Sequence, residues 1–106
     1  MSYRFMRILV FFDLPTTSAI DLKNYRNFRK FLIKEGFMMM QESVYTKITK
    51  NMAHSTAIAH QVKLNLPKKG LVQMLTVTEK QYSRMEILLG EENGEYINDD
   101  RRLIIL

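Results

Sequence analysis

The 106 residues include no cysteine and no tryptophan. Without cysteine there is no disulfide, no thiolate metal site and no cysteine nucleophile, and the usage suits a reducing cytoplasm, so a cytoplasmic location is expected. Proline occurs only at Pro15 and Pro67, and glycine only four times. Breaks in regular structure are therefore few and well marked. No apolar run approaches the roughly 20 residues of a membrane-spanning helix. The stretch Ile8–Phe12 is too short for the core of a signal peptide and ends on Asp13, so neither a leader nor a membrane partner is expected. No phosphate-binding loop is present, and Gly90-Glu91-Glu92-Asn93-Gly94 has the wrong sign to cradle a phosphate. No Ser/His/Asp triad can be assembled on spacing. His54 and His60 lie six apart and project from different faces of any helix, which reads as two solvated side chains rather than a metal pair. The ring-plus-lysine pattern of an RNA-recognition-motif sheet is also missing from Leu71–Val77.

What the chain does have is positive charge, unevenly spread. Residues 1–50 carry nine Lys/Arg against four Asp/Glu, residues 51–90 five against two, and residues 91–106 two against five. A basic body with an acidic tail suits a polyanion partner, because such a surface concentrates phosphates; a protein that is merely basic is the alternative. Hydrophobic residues make up 46% of the chain. That is enough for one domain with a modest core, and a second copy packed against it would help.

Residues 5–13 are β-branched and aromatic-rich, and they read as a buried strand. Ile8, Val10 and Phe12 fall on one face and Leu9 and Phe11 on the other. A sheet covered by helices on one side has no need of the second apolar face, so that face is expected to meet another protomer. Thr16, Thr17 or Ser18 caps a predicted helix to about Glu35, stopped by Gly36. Residues 37–48 are extended, with a bend at Glu42-Ser43. Asn51 caps a second helix to about Leu66, Leu71–Val77 is a strand, and Thr78-Glu79-Lys80-Gln81 has capping-box spacing. Glu86–Leu89 reads as a short strand, and Leu103, Ile104, Ile105 and Leu106 as a further strand after an acidic linker. The expected fold is α+β: a ferredoxin-like βαββαβ domain over residues 1–90, with residues 91–106 as a linker and a C-terminal strand that pairs with a sheet edge.

Asp13 is the leading candidate for chemistry. It ends the first strand on the parity of Leu9 and Phe11. If that face meets a twofold-related copy, two Asp13 carboxylates approach each other and together could hold one Mg²⁺ or other divalent cation against a phosphodiester. The alternative is a turn residue that caps local backbone amides before Pro15. On the first helix, Lys23, Arg26, Lys30 and Lys34 fall within roughly a quarter of the circumference. Four cations with no acid between them suggest phosphate contacts, the alternative being a solvated face. Arg29 lies off that stripe, beside the apolar face of Tyr25, Phe28 and Leu32. It is expected to be the most rigidly placed of the helix arginines. The eight methionines, Met38–Met40 among them, read as core filler.

Five segments, in order, carry a resemblance. They are Val10-Phe11-Phe12-Asp13-Leu14-Pro15, Tyr25-Arg26-x-Phe28-Arg29-Lys30-Phe31-Leu32-Ile33-Lys34-x-Gly36-Phe37, Gln41-Glu42-Ser43-Val44-Tyr45, Gly70-Leu71-Val72-Gln73 and Leu75-Thr76-Val77-Thr78-Glu79-Lys80-Gln81. Together they closely resemble the CRISPR-associated protein 2 family, in the form found in type II-A systems. The resemblance implies a ferredoxin-like homodimer with sheets stacked face to face. It implies a scaffold that bridges dimers of the integrase, CRISPR-associated protein 1, while a short DNA duplex is inserted into a CRISPR array. The family's strand-end aspartate matches Asp13 and is assigned there as a divalent-metal ligand for endonuclease activity, on RNA in some members and DNA in others. The resemblance also implies that this chemistry is dispensable for integration. Where many relatives have tyrosine before the aspartate, this chain has Phe12. Arg26, Arg29 and Lys30 match the family's duplex-contacting basic residues only loosely, and Leu103–Leu106 would dock the integrase or the partner's sheet. One carboxylate per subunit is thin equipment for hydrolysis, so the DNA scaffold ranks first. A metal-dependent endoribonuclease, or a toxin-like ribonuclease acting without an integrase, is the alternative.

Overall fold

A computed structural model describes residues 5–90; the acidic linker and the strand expected at Leu103–Leu106 lie outside them. The described chain runs β1 (Met6–Asp13), α1 (Ala19–Lys34), β2 (Met38–Gln41), β3 (Val44–Thr49), α2 (Met52–Leu64), β4 (Leu71–Thr78) and α3 (Glu79–Ser83). The strands form one sheet in the order β2-β3-β1-β4. Every neighbouring pair is antiparallel. This is the βαββαβ order and the α+β class expected from the sequence. Among the described residues no helix is long and apolar enough to cross a membrane.

Local chemistry fixes the boundaries. Ser18 caps α1 by accepting from the Asp21 backbone N–H at 3.0 Å, while the Thr17 hydroxyl donates to the Asp21 carboxylate at 3.2 Å. The bend at Glu42-Ser43 separates β2 from β3, as expected of a polar pair in an apolar run. Asn51 caps α2 through the His54 N–H at 2.8 Å. His54 is not merely solvated, because its Nδ1 accepts from the Lys50 N–H at 3.1 Å. Thr78 and Gln81 complete the capping box at the start of α3. One expected strand does not form. Glu86–Leu89 pairs with nothing among the described residues and is not a strand. Leu88 and Leu89 are almost fully exposed there. An apolar run supplies side chains for a sheet but not the neighbouring backbone that makes a ladder.

Both long helices pack on one face of the sheet. Ile8, Val10 and Phe12 of β1, Phe28 and Leu32 of α1, Tyr45 of β3 and Val62 of α2 make one buried cluster. The register puts the alternate residues on the other face: Leu9 opposite Thr46 and Leu75, and Phe11 opposite Val44 and Gln73. Leu9, at the centre, is only 5% exposed, but around it Ile48 is 46%, Leu71 54%, Leu75 52% and Met38 61% exposed. The second apolar parity of β1 therefore belongs to a broad apolar sheet face that no long helix among the described residues covers.

Candidate functional site

Asp13 ends β1, its Cα opposite Leu71 of β4. Its side chain is exposed at a shallow depression lined also by Phe11, Ser43, Val44, Leu71 and Gln73. Two features hold this strand end. The Phe12 N–H donates to the Ser43 carbonyl at 3.0 Å, extending the β1–β3 ladder past the bend. On the other side Gly70 sits at φ +99°, and a Cβ there would lie 2.7 Å from the Asp13 carbonyl oxygen. Only glycine reaches that conformation without strain and lets the two backbones approach so closely. Gly70→Ala is therefore expected to cost about 2 kcal/mol or more and to displace Asp13; a urea unfolding midpoint reads the first effect. A midpoint equal to that of the unsubstituted protein would mean the loop adjusts freely.

Ser18, one of the three expected candidates, caps the helix that follows, and Asp13 is not seen capping the turn before Pro15. Among the described residues the Asp13 carboxylate takes part in no hydrogen bond. Nor does any group of three or more His, Asp or Glu gather there that could hold a metal ion. A cation at Asp13 would have one hard oxygen ligand from each chain, and such a ligand suits a Mg²⁺ that keeps several waters.

Lys23, Arg26, Arg29, Lys30 and Lys34 are all exposed on α1. The ion pair among the described residues is Arg7–Glu79, so none of the five has a described carboxylate within ion-pair distance. They differ in how they are held. The Arg29 Nε donates to the buried Tyr45 hydroxyl at 2.8 Å. That hydrogen bond, foremost among the causes, raises the Arg29 pKa above its ordinary value. The sequence placed Arg29 beside the apolar face, but its partner is 16 residues away and emerges only from the register of β3.

A second cluster gave no signal in the sequence. Arg7, on the open face, donates from Nε and Nη2 to the two Glu79 oxygens at 2.8 and 2.6 Å. Its guanidinium carbon lies 4.1 Å from the centre of the Tyr82 ring. The hydrogen bonding from Glu79 raises the Arg7 pKa. The pair pins α3 over the Arg7 end of the open face and leaves the Asp13 end bare.

Comparison with known proteins agrees with this architecture. The family described as CRISPR associated protein Cas2 matches residues 6–85. A "CRISPR-associated endoribonuclease Cas2" of Treponema denticola is 50% identical over 101 residues, which is 95% of this chain and the whole of that protein. One of Streptococcus mutans is also 50% identical, over 95% of this chain and 93% of its own. Among solved structures, that of Streptococcus pyogenes Cas2 at pH 6.5 superposes with a TM-score of 0.57 at 21% identity, covering 78% of this chain and 99% of that one. The last of these speaks for the fold; the family match and the 50% identities, which span the strand-end aspartate and the basic helix, place this chain in the Cas2 family.

Proposed function

We propose that the protein is a homodimeric scaffold that binds duplex DNA during CRISPR spacer acquisition and bridges dimers of the integrase, CRISPR-associated protein 1. The observation that carries this reading is the face of α1. Lys23, Arg26, Lys30 and Lys34 stand exposed along it with no carboxylate in ion-pair range among the described residues. Like charges at three- and four-residue spacing destabilise a helix, and a phosphate backbone offsets that repulsion. The dimer draws support from the apolar sheet face, which is wide and bare on the side away from the helices. Sheets joined through that face would bring the two Asp13 ends within the same interface.

Replacing all four stripe residues by glutamate tests the DNA reading. Binding to a mixed-sequence duplex is expected to weaken steeply. The slope of log K against log salt should flatten by roughly one for each phosphate that the protein no longer neutralises. Integration of that duplex by the complex with the integrase should fall in parallel. An unchanged slope would reduce the stripe to a solvated face.

A second reading, a Mg²⁺-dependent endoribonuclease, rests on the name carried by the relatives and on Asp13. A pair of Asp13 carboxylates from two copies would hold the cation, and the cation would activate water against a phosphodiester. With no third acid or base gathered at Asp13 among the described residues, we rank that activity second to the scaffold.

A further inference from the structure

Tyr45 and Arg29 form a unit that neither the basic stripe nor the metal site accounts for. Tyr45 is wholly buried, its ring 5.6 Å from that of Phe12, which in turn meets Phe28 edge-on at 5.4 Å. The ring is thus fixed within the core, and its hydroxyl, buried with it, reaches the foot of Arg29 on α1. There it accepts the Arg29 Nε–H at 2.8 Å. Arg29 itself remains exposed.

We propose that Tyr45 is a positioning residue for nucleic-acid binding: its core-anchored hydroxyl holds the Arg29 guanidinium through Nε, leaving both terminal amino groups, which make no hydrogen bond among the described residues, for bidentate contact with one backbone phosphate. The inference rests on the reading of α1 as the nucleic-acid face.

Arginine has five N–H donors, and Nε uses one of them on Tyr45. The Nη groups that remain form the fork that matches two phosphate oxygens. A free arginine side chain must give up considerable rotamer freedom to make that contact, and an anchored one has already given it up. Helical geometry places Arg29 about 60° round the axis from Arg26, so it flanks the stripe on the side nearer the sheet. The four stripe residues lack such an anchor among the described residues and act as mobile point charges. Arg29 would be the fixed point that sets the register of the duplex on the protein. A need to satisfy the buried Tyr45 hydroxyl does not by itself call for an arginine, since a neutral donor on α1 would serve.

The test uses the intact protein, a mixed-sequence DNA duplex followed by fluorescence anisotropy, and four forms: unsubstituted, R29A, Y45F and the double variant. Y45F removes one oxygen and keeps the ring packed on Phe12. R29A is expected to weaken binding and to lower the salt slope by about one. Y45F is expected to weaken binding about threefold to tenfold, the effect of removing one hydrogen bond, with the slope unchanged because the charge remains. In the R29A background Y45F should have no further effect. A second measurement is independent of affinity: the Arg29 Nε–H resonance should exchange slowly with solvent in the unsubstituted protein and fast in Y45F. If R29A binds DNA normally, the reading of α1 at this position fails and the inference with it. If R29A weakens binding and Y45F does not, the nucleic-acid face stands and the positioning role is overturned. Equal losses from Y45F with and without Arg29 would also overturn it, since Tyr45 would then act by another route.

Discussion

Leu75→Glu is expected to convert the proposed dimer into monomers of 12.6 kDa without unfolding the chain. Leu75 lies opposite Leu9 on the bare sheet face and is 52% exposed in a single protomer. A glutamate there points into water as long as the protomer is alone, and exposed substitutions of that kind change stability by about 0.5 kcal/mol or less. A twofold interface changes the sum. Each copy would bury one carboxylate beside Leu9, Phe11 and their counterparts, where the nearby Arg7 is already engaged by Glu79, and an unpaired buried charge costs about 3 kcal/mol or more. Two of them raise the dimer dissociation constant by about 10⁴-fold. Sedimentation equilibrium reads the mass directly. A variant that still sediments at twice the protomer mass would place the interface elsewhere and remove the reason for two Asp13 carboxylates to meet.

The open apolar face is legible in the sequence because strand parity is local. Ile8, Val10 and Phe12 against Leu9 and Phe11 need only the period of two, and the structure puts the first set under the helices and the second on the open face. Caps are equally legible, since Asn51 and the Thr78–Gln81 box act within four residues of themselves. The sequence leaves three candidates at the start of α1, and the choice of Ser18 turns on Thr17 being engaged with Asp21. Glu86–Leu89 fails for a different reason. Strand propensity describes how side chains suit a pleated surface, and nothing in four residues reveals whether another backbone lies alongside.

The candidate site divides in the same way. Asp13 can be found from its position at a strand end, and the exposed stripe of α1 from helical spacing. The Arg29–Tyr45 bond joins residues 16 apart and the Arg7–Glu79 pair joins residues 72 apart. Both require the sheet register and the docking of a helix on it, which no local pattern contains. Gly70 marks the boundary between the two cases. Glycine before a strand announces a turn, but its close approach to the Asp13 carbonyl appears only once β4 is laid beside β1.

Asp13→Ala should separate the two functional readings. Because the side chain is exposed and among the described residues makes no hydrogen bond, its loss is expected to leave protomer stability within about 0.5 kcal/mol. In the proposed dimer two facing carboxylates would repel when no metal is bound, so the metal-free variant dimer should be at least as stable as the unsubstituted one. Mg²⁺ should raise the melting temperature of the unsubstituted dimer, by an amount that grows with the logarithm of its concentration once that exceeds the dissociation constant, and should leave the variant unmoved. Cleavage of RNA or DNA that depends on Mg²⁺ should fall by more than about a hundredfold, beyond what loss of an outer partner of a metal ligand causes. Spacer integration by the complex with the integrase should persist, because the proposed scaffold would act through α1 and the sheet face and not through the strand-end carboxylate. Should integration vanish together with cleavage while the dimer and its DNA affinity stay intact, the chemistry at Asp13 would be the function, and the basic helix would serve to deliver a substrate to it.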